Sequence, residues 1–182
     1  FLHKEDYSLF FKYIENNNVD ILDKDILLDN VGYKYEDADI FCLSDINVKV
    51  LKGSTVAFVG NVGSGKTTVM QIFAGILSPS KGFFLFGNCH FHDVASNFFR
   101  QNIAYVPQDV FLFSDTIKNN IIFGGLDVTD EDLLYIVKNV CLLEEIESFQ
   151  DGFNTQIGEG GVTLSGGQKQ RLNIARALYK NP

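Results

Sequence analysis

The chain has 182 residues, of which 46% are hydrophobic and 21% charged, with only 3 prolines. That is enough apolar material for the core of an ordinary domain, and it excludes intrinsically disordered and fibrous classes. Fifteen Lys and Arg against 23 Asp and Glu leave a net charge of −8, which opposes a surface that tracks a nucleic-acid backbone but leaves room for one small anion in a local nest.

Taken in chain order, Leu9, Phe10, Tyr13 and Ile14 stand at helical spacing within residues 1–15, and the polar run Asn16-Asn17-Asn18 ends the pattern. A short helix and a turn are expected there, within a linker over residues 1–24. Apolar residues alternate over Ile26–Tyr35 and Ile46–Val50, and Lys52-Gly53 forms a turn before a third apolar stretch, Ser54–Val59, so two or three antiparallel strands are expected here. Lys66–Leu77 carries Val69, Met70, Phe73 and Ile76 as one helical stripe and stops at Ser78-Pro79-Ser80. Strands are expected at Phe83–Phe86 and Ile103–Val106, with a turn at Gly87-Asn88 and a short helix at Ser96–Arg100. From Thr116 to about Phe149 the pattern is helical: Thr129 and Asp132 resemble a capping box, and Leu133, Leu134, Ile136, Val137 and Val140 form an apolar stripe. A glycine-rich stretch, Gly158–Gly167, leads into a last helix from Ser165 to about Tyr179. The apolar runs are far short of the roughly 18 residues a membrane span needs. Cys42, Cys89 and Cys141 form no CxxC pair and read as reduced thiols of a cytosolic setting. The start at Phe1 and the stop at Asn181-Pro182 read as those of a piece of a longer polypeptide.

Two motifs carry chemistry. Val56-Ala57-Phe58-Val59 runs into Gly60-Asn61-Val62-Gly63-Ser64-Gly65-Lys66-Thr67-Thr68, which matches G-x-x-x-x-G-K-[ST] between an expected strand and a helix. Glycines let such a backbone wrap with successive N–H groups pointing inward, at a helix N-terminus that favours negative charge. Lys66 would reach the β and γ phosphates of a nucleotide, and the Thr67 hydroxyl is a hard oxygen ligand of the kind Mg²⁺ requires. The second motif, Leu164-Ser165-Gly166-Gly167-Gln168, opens the last helix. There Ser165 can cap the helix while the N–H groups of Gly166 and Gly167 face an anion.

Together these motifs resemble the nucleotide-binding domain of an ATP-binding cassette (ABC) transporter, in order along nearly the whole chain from about Asp25 to Pro182. The resemblance implies an α/β fold: a P-loop NTPase (RecA-like) core, an antiparallel β subdomain and an α-helical signature subdomain over roughly residues 114–164, C-terminally incomplete. It implies ATP and Mg²⁺ as ligands, held by Gly60, Asn61, Gly63, Ser64, Gly65, Lys66, Thr67 and Thr68. Ser165, Gly166, Gly167 and Gln168 would act in trans on the nucleotide of a second such domain in a head-to-tail dimer. Tyr35 stands where the family keeps an aromatic ring that stacks on adenine, with Tyr33 as the rival on the same face. Gln108, in Tyr105-Val106-Pro107-Gln108-Asp109, matches the Q-loop glutamine, which touches Mg²⁺ and the attacking water. Phe111–Ile117 and Thr155–Gly161 resemble segments of exporter-type domains, and the second, with Gly158-Glu159, is similar to the loop that sits against a transmembrane domain.

The implied role is ATP-driven export at the cytoplasmic face of a membrane, with a transmembrane domain and no nucleic acid as partner. The family continues past the signature helix with a strand ending in Asp-Glu and then a switch histidine, which are absent from residues 1–182. The parent is therefore expected to hydrolyse ATP, with Lys66 and Gln108 as catalytic groups, and these residues alone are not. Two other readings stay open: a soluble ABC ATPase acting on nucleic acid or ribosomes, and a non-hydrolysing half of an asymmetric pair. Cys89, His90, His92 and Asp93 lie close together but lack the distant second pair of a structural zinc site.

Overall fold

The computed structural model describes residues 24–93, 102–123, 128–158 and 161–181, and the chain divides into two compact units between Arg100 and Gln101. The helix expected near the N-terminus and the one at Ser96–Arg100 lie outside the described residues, as do Glu159 and Gly160.

The first unit is built on an antiparallel sheet of β1 (Ile26–Tyr33), β2 (Leu43–Val50), β3 (Lys81–Phe86) and β4 (Cys89–His90), in the order β2-β1-β3-β4. Strand β1 does not keep simple alternation. Leu28 and Val31, three residues apart, are both fully buried, and the pairing with β2 shifts between them. Asn30, in the left-handed region at φ 52°, supplies the extra residue of a bulge, and its N–H donates to Asn47 Oδ1 at 2.9 Å. Opposite it, Gly82 has φ 79°, and a Cβ there would stand 2.3 Å from Asn30 O. Only glycine fits that approach. Phe84 anchors an aromatic cluster with Phe86, Phe91 and Phe73 at ring separations of 5.0, 5.0 and 5.9 Å.

Helix α1 spans Lys66–Phe73, shorter than the periodicity to Leu77 suggests. Gly75 at φ 68° stops it, with Gly75 N–H donating to Ile72 O and Ile76 N–H to Gln71 O, both at 2.9 Å, the paired bonds of a Schellman ending.

Two strand expectations are corrected. Residues 54–61 and 103–107 have no regular secondary structure. A strand exists as part of a ladder, and apolar alternation alone does not supply a partner. Among the described residues none pairs with these segments as a strand, and Val59 is 94% exposed.

The second unit contains β5 (Asp115–Thr116), α2 (Ile117–Ile121), α3 (Asp130–Asn139), α4 (Leu143–Ser148), β6 (Gln156–Ile157) and α5 (Gly166–Tyr179). Strands β5 and β6 pair antiparallel. The core joins Ile117 and Ile121 of α2, Leu133, Ile136 and Val137 of α3, Ile146 of α4, and Leu172 and Ala175 of α5. The start of α3 is as expected: Thr129 Oγ1 accepts from Asp132 N–H at 3.1 Å and its hydroxyl donates to Asp132 Oδ2 at 2.6 Å.

Candidate nucleotide-binding site

The loop Gly60–Thr67 enters α1 through a sharp turn. Gly63 and Gly65 hold φ 82° and 83°, a region open to glycine and costly for other residues. At Gly65 a Cβ would stand 2.5 Å from Leu43 Cδ2, and at Gly63 it would meet nothing within 4 Å. The inner face of the turn is packed against β2 while its tip is open. Gly65 is also the N-cap of α1 and offers no side chain to cap it. The helix's first amides have no acceptor inside the helix, so an anion is their natural partner.

The Lys66 ammonium lies in this loop. Its Nζ donates to Gly60 O at 2.8 Å, Asn61 O at 2.6 Å and Ser64 Oγ at 3.3 Å. A cation thereby sits beside the uncapped helix N-terminus on neutral carbonyls, and anionic oxygens would be stronger partners for it. Thr67 is exposed on the first turn of α1 and Thr68 is buried. Thr68 Oγ1 is bonded to Tyr35 Oη at 3.1 Å, so Thr68 fixes the aromatic ring to the helix that opens the loop. Among the described residues no group of three or more His, Cys, Asp or Glu could hold a metal ion. The exposed Thr67 hydroxyl, together with phosphate oxygens and water, fits Mg²⁺ coordination, which commonly uses one or two protein oxygens.

Tyr33 and Tyr35 meet edge to face with centroids 4.9 Å apart. Tyr35 is 44% exposed and Tyr33 half-buried. Loss of water pushes the Tyr33 phenol above its ordinary pKa, with Tyr35, Cys42 and Glu36 adding to the effect. Of the two rings Tyr35 presents more surface to a ligand and is the one tied to α1.

Gln108 and the Ser165–Gln168 turn belong to the second unit. Gln108 is exposed in a bend. Ser165 caps α5 in a full capping box: Gln168 N–H donates to Ser165 Oγ at 3.3 Å and Ser165 N–H to Gln168 Oε1 at 2.8 Å. Gln168 thus serves the cap, while Ser165, Gly166 and Gly167 are exposed at the helix start. On the same unit a cavity of about 380 Å³ is lined by Val110, Phe111, Leu112, Gly158, Val162 and neighbouring residues. Phe111 and Phe123 are 68% and 57% exposed, and both stand against Phe113, at 5.0 and 4.2 Å between centroids. Phe111 and Phe123 thus leave apolar surface exposed on this unit.

Two residues of this unit escape motif reading. Asn120 is fully buried and Arg176 half-buried, and they hydrogen-bond to each other. Their only sequence signal is a polar side chain among apolar neighbours at helical spacing: Asn120 between Ile117 and Ile121, and Arg176 beside Leu172 and Ala175.

A family model described as ABC transporter matches residues 43–182. The Bacillus subtilis (strain 168) protein named Uncharacterized ABC transporter ATP-binding protein YwjA is 40% identical over 168 residues, covering 92% of this chain and 29% of that protein. A Staphylococcus aureus (strain NCTC 8325 / PS 47) protein named for multidrug export as an ATP-binding/permease protein is 40% identical over 155 residues, covering 85% and 27%. Among solved structures, a bacterial Atm1-family ABC exporter with ATP bound superimposes with a TM-score of 0.83 at 32% identity, covering 98% of this chain and 33% of that one. The chain thus spans under a third of the length of these two relatives. Its fold is that of an ABC ATPase domain. From the family match, and from the glycine loop and Leu-Ser-Gly-Gly-Gln turn that it contains, the chain belongs to the ABC transporter family.

Proposed function

We propose that this chain is the ATP-binding domain of an exporter at the cytoplasmic face of a membrane, and that it drives transport by binding MgATP and closing on a second such domain. The observation that carries the reading is the Lys66 ammonium, held 2.8 and 2.6 Å from two loop carbonyls at the uncapped start of α1. In this reading the amides of Gly63 to Thr68 receive the phosphates, Lys66 turns from Gly60 O and Asn61 O to the β and γ phosphate oxygens, and Tyr35 stacks on the adenine. Thr67 supplies its hydroxyl to Mg²⁺, which when bound neutralises phosphate charge.

The exposed Ser165, Gly166 and Gly167 would close over the γ-phosphate of the partner domain. Gln108 would contact the attacking water and Mg²⁺. The groove at Phe111 and Gly158 would receive the transmembrane domain, with residues 1–24 leading from it. A net charge of −8 favours this reading over an ATPase that works on nucleic acid.

Phosphoryl transfer rests on positioning and on charge stabilisation at the γ-phosphate. Within residues 1–182 no Asp-Glu pair follows Leu164–Gln168, so they are proposed to bind ATP without efficient turnover. Steady-state phosphate release tests this: the chain alone should be slower than the full-length protein by at least about 100-fold, the scale of one missing electrostatic stabiliser. Equal turnover by the two would contradict it.

A further inference from the structure

We infer that Arg176, working through Asn120, is a positioning residue that ties the aromatic segment 111–116 to the helix carrying the Ser165–Gln168 turn, so that the membrane-facing and phosphate-facing ends of the second unit move as one piece. This rests on the exporter reading above.

Asn120, fully buried in α2, grips both backbone groups of Phe113: its Oδ1 accepts from Phe113 N–H at 2.9 Å, and its Nδ2 donates to Phe113 O at 3.0 Å. The same Nδ2 donates to Thr116 O at 3.0 Å. One amide side chain thereby fixes the segment's path. From α5, Arg176 Nε donates to Asn120 O at 2.8 Å, Nη2 to Asn120 Oδ1 at 3.2 Å, and Nη1 to Phe111 O at 3.1 Å. Its guanidinium carbon lies 5.6 and 5.8 Å from the ring centroids of Phe113 and Phe123, within range of cation–π attraction.

Three oxygens on two separate segments suit a planar fork of fixed donors, and a lysine ammonium cannot span them. Burial depresses the Arg176 pKa from its ordinary value, yet an arginine retains its charge. On its other flank the segment is clasped by the β5–β6 pairing and by Gly158, where a Cβ would stand 2.8 Å from Ser114 Cα. Arg176 and Gly166 share one uninterrupted helix, ten residues or about 15 Å apart. A displacement of Phe111 is therefore delivered to the start of α5 through hydrogen bonds and a rigid rod.

The test uses the full-length protein in membranes, with Arg176→Lys, Arg176→Gln and Phe111→Ser singly and in combination. ATP turnover, KM for ATP and the thermal midpoint are measured for each. Arg176→Lys should lower kcat about tenfold, a typical coupling energy, with KM for ATP within about twofold. Phe111→Ser should lower kcat in the unaltered background and add nothing to Arg176→Lys, since both cut the same connection. If Arg176→Gln does not fold, Arg176→Lys carries the comparison.

Wild-type kcat in Arg176→Lys overturns the inference, as do multiplicative losses in the double variant. A kcat loss that merely follows the fraction unfolded also overturns it, because a purely structural role gives that result. No ATP turnover by the unaltered full-length protein would overturn the exporter reading itself, and the inference with it. Intact turnover with an unaffected Arg176→Lys would overturn the inference alone.

Discussion

Two residues hold backbone conformations that their chemistry makes unequal. Cys141 follows α3 at φ 52°, where Leu142 N–H donates to Val137 O at 2.9 Å and Cys141 N–H to Lys138 O at 3.0 Å. This is a Schellman ending with cysteine in the place glycine prefers. The side chain is exposed, so removing it costs little packing, and Cys141→Gly should raise stability by about 0.5–1 kcal/mol, the relief of left-handed strain less the extra entropy of an unfolded glycine. Urea denaturation measures this. Gly82 is the converse: φ 79° and a Cβ position 2.3 Å from Asn30 O make Gly82→Ala cost about 2 kcal/mol or more in the same experiment. Neither residue is legible in sequence, because nothing in the letters distinguishes Gly82 from a strand glycine or marks Cys141 as a helix stop. The glycines of the Gly60–Thr67 loop are legible, because there the spacing itself reports a sharp turn into a helix.

At the scale of elements, sequence reads best where an element is specified by its own side chains. Helix α5 begins at the residue its cap demands, with Ser165 and Gln168 bonded reciprocally, and α3 begins after Thr129 for the same reason. Strand β1 is legible as a strand but not in its register, since the Asn30 bulge that turns both Leu28 and Val31 inward is a tertiary event. The segment 54–59 has strand composition but gains no ladder partner among the described residues, so its apolar pattern stands without its element. The cap of α5 permits a separation of roles. Ser165→Ala should lower stability by about 1 kcal/mol through loss of the cap. Ser165→Asp should keep the cap and hold stability, yet weaken ATP-dependent dimerisation by placing a carboxylate where phosphate is proposed to arrive. Thermal melting beside light scattering with and without MgATP checks the pair, and equal dimerisation by Ser165→Asp and wild type would remove Ser165 from the phosphate contact.

Over the whole molecule, the candidate groups are shared between two units: the glycine loop, Lys66, Thr68 and Tyr35 in the first, and Gln108, the Ser165 turn and the aromatic groove in the second. Motif spacing points to the glycine loop and the Ser165 turn, because a phosphate cradle needs particular residues at particular offsets, while Tyr35, Gln108 and the aromatic groove are legible only through the family resemblance. The Asn120–Arg176 connection escapes it, because coupling can be built from any residues that reach one another. Nucleotide binding centres on the first unit's loop, and titration calorimetry of MgATP and of adenosine into the protein and into Lys66→Ala tests it most directly. The unaltered protein should bind MgATP at one site per chain. Lys66→Ala should weaken MgATP binding about tenfold or more, the worth of a charge-assisted contact of roughly 1.5–3 kcal/mol, while adenosine binding stays as it was. No heat with MgATP, or equal losses for MgATP and adenosine, would contradict the assignment of Gly60–Thr67 as the cradle of a triphosphate.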